Sequence, residues 1–293
     1  MPSQTRSPSA ITHSTLSPPL RSTEKILIIG DVHGCLVELK EIVAAAESLL
    51  DAHEKLRIIL VGDLVNKGPF SAEVIQYVRS QEWCCVMGNH DEYIAKFFRD
   101  EDWDASKNWI HKLSIEDRQW LLDLPYTISI PQTNSIVVHA GLLPGVPLEA
   151  QRLKDMILMR TVSRGEGQAW QAHEVLGEGM AWAEIWSSQS SDECPIVIDG
   201  KGTVPHIYFG HDARRGLQRT KHATGLDTGC CYGGCLSACL LVNSGKHSKL
   251  IQIHPKTVYK DVSRNKKKIA DRSRVLWALG FAVALLGVAH GLK

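Results

Sequence analysis

Five short apolar runs, each followed at once by residues of metal-ligand type, constrain this chain more than any other feature. The run 26–29 leads into Gly30-Asp31-Val32-His33-Gly34, and the run 58–61 into Gly62-Asp63. The run 84–87 leads into Gly88-Asn89-His90-Asp91, 136–138 into His139-Ala140-Gly141, and 206–209 into Gly210-His211-Asp212. A short continuous apolar run reads as a strand buried on both faces. Between the first three runs, residues 36–50 and 71–81 carry apolar positions at helical spacing. Strand, helix, strand, helix, strand predicts parallel strands with helical crossovers, a layered α/β fold. Ligands bind at the carboxyl ends of strands in such sheets, so side chains spread from position 31 to position 211 are expected to converge.

The rest of the chain falls into segments. Residues 1–24 are rich in Ser, Thr and Pro, with Glu24 the only acidic residue. They are expected to form a disordered leader, with an organelle transit peptide as the alternative. Residues 25–258 are expected to form the catalytic domain. Within it, 92–124 reads as helical, with Ser114 and Asp117 spaced as a capping box and Pro125 as the stop. The Gly-rich stretch 164–179 reads as a loop, and 223–226, 236–242 and 249–254 as further strands. Residues 259–274 form a basic linker, and 275–292 are apolar on all sides apart from His290. That last segment is expected to be a C-terminal transmembrane helix, with a helix docked on protein as the alternative. The resulting expectation is an intracellular, membrane-anchored protein whose catalytic domain faces the cytosol.

Composition narrows the partners. A formal net charge of +1 with 22% charged residues gives no overall field that would draw in nucleic acid. The eight cysteines follow no secretory signal, so free thiols in a reducing compartment are expected. Cys230, Cys231, Cys235 and Cys239 lack the paired C-x2-C spacing of a zinc site and read as structural.

The strand-end residues suit two adjacent divalent cations. Carboxylate and imidazole together fit Mn, Fe, Co and Zn better than Mg. Asp31 and His33, two positions apart, are expected to reach one ion, Asp63 to bridge, and Asn89, His139 and His211 to hold the second. Such a pair can hold a bridging hydroxide and clamp a phosphoryl group. His90, next to Asn89, is the expected general acid. Lys67 and Arg160 are the candidate cations for charge developing on the phosphoryl oxygens.

In these stretches the chain resembles the calcineurin-like metallophosphoesterases, and within them the phosphoprotein phosphatase superfamily. That superfamily shows GDxHG, GDxVxRG, GNHE and HxGLxP in order; the corresponding stretches here are 30–34, 62–68, 88–91 and 139–144. The resemblance spans about residues 25–255 and implies a sandwich of two mixed β-sheets flanked by helices, with the metals at one sheet edge. It is closer to the ApaH-like phosphatases, relatives of bacterial diadenosine tetraphosphatase. Asn66 and Lys67 stand where Ser/Thr protein phosphatases have Asp and Arg, and that Asp normally orients the general-acid His. The stretch Gly225-Leu226-Asp227-Thr228-Gly229 also resembles the ApaH side. The resemblance implies a phosphatase acting on a phosphorylated small molecule such as a dinucleoside polyphosphate, on polyphosphate or on a phosphoprotein. The reading from another class is a membrane-tethered adaptor that keeps the fold without the chemistry.

Overall fold

The computed structural model describes residues 12–100, 107–198, 200–242 and 247–261. In chain order the strands are β1 (His13–Thr15), β2 (Glu24–Ile29), β3 (Lys55–Leu60), β4 (Cys84–Cys85), β5 (Thr127–Ile130), β6 (Ser135–Val138) and β7 (Thr161–Arg164). They continue as β8 (Trp170–His173), β9 (Met180–Ala181), β10 (His206–Phe209), β11 (Gln218–Arg219), β12 (Ala223–Gly225), β13 (Leu236–Val242) and β14 (His247–Ile253). The helices are α1 (Leu36–Glu47), α2 (Ser71–Ser80), α3 (Asn89–Asp100), α4 (Ile115–Leu122), α5 (Leu153–Leu158) and α6 (Trp182–Ser188).

Two mixed sheets form the centre. One runs β14-β13-β2-β3-β4, with β2, β3 and β4 parallel and β13 antiparallel to β2. The other runs β1-β5-β6-β10-β12-β11, with β6, β10 and β12 parallel. Period-two alternation explains why β2 is apolar throughout. Ile26 and Ile28 pack with Ile59, Val137, Tyr208 and Leu241 in the layer between the sheets. Leu27 and Ile29 point the other way and pack with Leu39, Ile42 and Val43 of α1. The α/β sandwich implied by the resemblance is the observed architecture.

The parallel strands end side by side in both sheets, so their following turns meet along one edge. The five ligand-bearing turns divide between the sheets: β2, β3 and β4 supply three, and β6 and β10 supply two.

Several segments differ from expectation. The fold begins before residue 25, because β1 pairs in parallel with β5 from His13–Thr127 to Thr15–Ser129. Part of the expected leader is therefore ordered by backbone pairing, which its polar sequence does not signal; residues 1–11 lie outside the described residues. The expected loop 164–179 holds β8 within a third sheet of order β8-β7-β9. The long helical stretch is divided into α3, a 3-10 turn at Asn108–Lys112 and α4. The capping box is formed: Asp117 N–H donates to Ser114 Oγ at 3.2 Å and Ser114 N–H to Asp117 Oδ2 at 3.0 Å. The candidate membrane segment 275–292 and linker residues 262–274 lie outside the described residues. Among the described residues no helix is long and apolar enough to cross a membrane.

Candidate active site

The strand-end turns are tightly wound. His33, Asp63, Asn66, Lys67 and His211 all hold left-handed φ angles, between 46° and 68°. Non-glycine residues take this conformation at a cost, and it clusters where side-chain direction matters. Glycines give the turns room. A Cβ on Gly210 would collide with Asp31 Oδ1, and one on Gly88 with the backbone and carboxylate of Asp63.

All six candidate ligands meet at this edge. His33 Nε2 is 3.2 Å from Asp63 Oδ2 and 3.8 Å from Asp31 Oδ2. His139 Nε2 is 3.5 Å from Asp63 Oδ1 and 3.0 Å from Asn89 Oδ1. His211 Nδ1 is 2.9 Å from the same Asn89 oxygen. Asp63 thus lies between His33 on one side and His139 on the other.

The opposite ring nitrogens fix the tautomers. His33 Nδ1–H donates to Val65 O at 2.9 Å, and His139 Nδ1–H to Val61 O at 2.8 Å. His211 Nε2–H donates to Leu158 O at 3.1 Å. Burial disfavours charge on His33 and takes it down to about 3, and burial with His139 and Arg160 nearby holds His211 well below its usual value. In the neutral rings of His33 and His211, and in the His139 tautomer that donates to Val61, the inward nitrogen carries a lone pair. These lone pairs face carboxylate and amide oxygens that are also acceptors, an arrangement that calls for a cation between them. The ammonium of Lys67 is already drawn to one of them, with Nζ 2.6 Å from His33 Nε2. The donor set therefore fits divalent metal.

The sequence profile of the calcineurin-like phosphoesterases matches residues 24–229, more than half of the chain. The chain is a calcineurin-like phosphoesterase. It is 27% identical over 272 residues to the symmetrical bis(5'-nucleosyl)-tetraphosphatase of Aromatoleum aromaticum, covering 78% of this chain and 96% of that one. It is 26% identical to the enzyme of the same description from Escherichia coli O1:K1 / APEC, covering 80% and 96%. Among solved structures it is similar to a crystal structure provisionally described as a diadenosine tetraphosphatase. That match has a TM-score of 0.68 and 31% identity, and covers 84% of this chain and 98% of the other. The protein is thus a metal-dependent hydrolase of phosphoric bonds.

The remaining predicted residues of the phosphoesterase border the ligands. His90 begins α3, and its backbone N–H donates to Asp63 Oδ1 at 2.8 Å. Asn66 Nδ2 donates to His90 Nδ1 at 3.3 Å, which leaves the ring proton on Nε2. Burial, with Lys67, His139 and Lys107 adding to it against Asp63, takes His90 down to about 4. Burial opposes the charge on Lys67, but Asp63, Tyr232 and Asp31 outweigh it and keep the ammonium. Lys67 also sits 5.3 Å from the centre of the Tyr232 ring. Arg160 stands at the edge, its Nη2 donating to His211 O at 3.4 Å and its Nε 4.0 Å from Asp212 Oδ1. Asp212 also pairs with Arg215. Asp91 is fully buried and accepts from Leu64 N–H at 3.0 Å and Gly88 N–H at 3.1 Å, which ties two ligand turns together.

One residue was not singled out from the sequence. Asp227 follows β12, is buried, shares a hydrogen bond with Asp31, and accepts from Gly229 N–H at 3.1 Å. Burial and the facing charges of Asp227 and Asp63 push Asp31 well above the usual carboxylate range. The signal for Asp227 was the one used elsewhere, an acidic residue just past an apolar run.

Proposed function

We propose that the protein hydrolyses phosphoanhydrides of the dinucleoside polyphosphate type with two divalent cations drawn from Mn, Fe, Co and Zn. The observation that carries the substrate class is the neutral amide of Asn66 beside His90. A carboxylate there would hold the imidazole protonated; an amide orients the ring without favouring its charge. A leaving alkoxide, as from a phosphoserine, needs strong protonic help. A leaving phosphate is already a weak base, and a hydrogen bond from a neutral ring suffices for it.

Asp31, His33 and Asp63 would hold one cation, and Asp63, Asn89, His139 and His211 the other. Bound there, the cations would polarise the phosphoryl oxygens and lower the pKa of a water that serves as nucleophile. Lys67 is ammonium and lies beside His33, so it can take up charge from the transferred group. Arg160 can do the same from the His211 side. His90 orients and supports the departing oxygen through Nε2–H. The convergence of six ligand-type side chains speaks against the inactive-adaptor reading.

The test is turnover of the purified chain with added Mn, Co or Zn on diadenosine tetraphosphate, long-chain polyphosphate, p-nitrophenyl phosphate and a phosphopeptide. Preference for diadenosine tetraphosphate, abolished together with metal binding in Asp63→Asn, supports the proposal. A preference for the phosphopeptide overturns the substrate class, and turnover unchanged by Asp63→Asn overturns the site.

A further inference from the structure

Behind the catalytic cluster, three buried ligand-type side chains meet, two from the start of α1 and one from far along the chain. Cys35 is the N-cap residue of α1, two positions after His33. Glu38 lies in the first turn of the same helix. Cys230 comes from the turn after β12, three positions after Asp227. One donor atom from each lies within 4.8 Å of the others. Cys35 and Glu38 are 0% exposed and Cys230 is 2% exposed.

Glu38 is the residue that needs explaining. Tyr259 Oη–H donates to its Oε1 at 2.9 Å, while its Oε2 is buried with no hydrogen-bond partner. A buried carboxylate with a bare oxygen is costly, and two adjacent thiols offer it little. The thiols satisfy one another only weakly: they share a hydrogen bond, and Cys35 Sγ reaches His33 O at 3.8 Å.

We propose that Cys35, Glu38 and Cys230 form a separate metal site for a borderline divalent cation of the zinc type. Two thiolates and a carboxylate are donors that zinc accepts, and their three negative charges leave one on the complex. The positive end of the α1 dipole lies at Cys35 and favours that charge. Tyr259 stays on Oε1 and orients the carboxylate, as outer hydrogen bonds do at metal sites. Each thiol releases its proton to solvent as the ion binds. The ion would join the turn bearing Asp31 and His33 to the turn bearing Asp227, whose carboxyl already bonds Asp31. It would act as a staple behind the catalytic edge.

Cobalt distinguishes this site from the catalytic one, which offers only nitrogen and oxygen donors. Cys235, whose Sγ is 3.3 Å from His254 Nδ1, is a competing thiol and is removed first. Full-length Cys235→Ser protein loaded with Co2+ is expected to show thiolate-to-cobalt charge-transfer absorption. Adding Cys35→Ser or Cys230→Ser should abolish that band and lower bound cobalt by one equivalent. Glu38→Gln keeps both thiols and the side-chain shape, so it reads the site even where a cysteine variant misfolds. It should weaken cobalt binding at the band by about tenfold or more. The proposal is overturned by absence of the band in Cys235→Ser protein, or by its survival in both cysteine variants. Unchanged affinity in Glu38→Gln, or a Cys35–Cys230 disulfide in reduced preparations, also overturns it. The band does not depend on how many ions the catalytic cluster takes or on its substrate.

Discussion

Asn66 donates to His90 Nδ1 across 3.3 Å, and no carboxylate takes that place. Asn66→Asp would put a negative charge against the ring and raise the His90 pKa. The protonated form would then persist to higher pH. The alkaline limb of kcat/KM should move upward, and turnover of a phosphoserine peptide relative to diadenosine tetraphosphate should rise by about tenfold, part of the roughly 10²–10⁴-fold that general-acid help supplies. pH–rate profiles of both substrates check this. An unchanged ratio would mean that the amide does not set the preference.

Lys67 Nζ lies 2.6 Å from His33 Nε2 and carries its charge into the centre of the cluster. Lys67→Ala should lower kcat/KM by about 10²–10³-fold, the usual cost of removing one donor to a developing oxyanion. Bound metal should stay nearly constant, since the amine is not among the metal donors. Equal loss of metal and activity in Lys67→Ala would show instead that the lysine supports the ligands. Kinetics paired with metal analysis on one preparation separates the two.

The catalytic edge was legible because the same pattern recurs. An apolar strand buried on both faces writes itself as a run, and the residue after the run falls at the sheet edge. That one rule reaches Asp31, Asp63, Asn89, His139 and His211, and it would have reached Asp227 had the short run before it been weighed alike. What stayed hidden depends on pairing across distance. β1 is three polar residues held by β5, and its sequence carries no sign of that partner. The small sheet at 161–181 sits in a Gly-rich stretch whose turns dominate its local signal. Cys35 and Cys230 approach only because the turns after β2 and β12 are neighbours, so cysteine spacing along the chain gives no hint of it.

Trp186 is fully buried in α6, and its Nε1–H donates to Pro205 O at 3.1 Å, next to the start of β10. Trp186→Ala removes a large core side chain and leaves that carbonyl without its donor. The expected loss is about 3–5 kcal/mol of folding stability. Denaturant titration gives the value. A loss of less than about 1 kcal/mol would mean that the core refills the space.

His206, the first residue of β10, lies away from the metal cluster, with Nε2 2.9 Å from Thr224 Oγ1. Burial, then the nearby His222 and Arg219, lower its pKa from 6.5 to about 4, while a hydrogen bond from its ring to the Lys221 backbone carbonyl acts the other way. Between those two values the unfolded chain binds a proton that the folded chain excludes. Stability from this residue is therefore present above pH 6.5 and is lost as the pH falls toward about 4. His206→Gln keeps a polar group for Thr224 and removes the titration. Its Tm should fall less than that of the parent on acidification through this window, and melting curves across the range read the difference. Parallel curves would show that His206 is protonated in the folded protein as readily as in the unfolded chain.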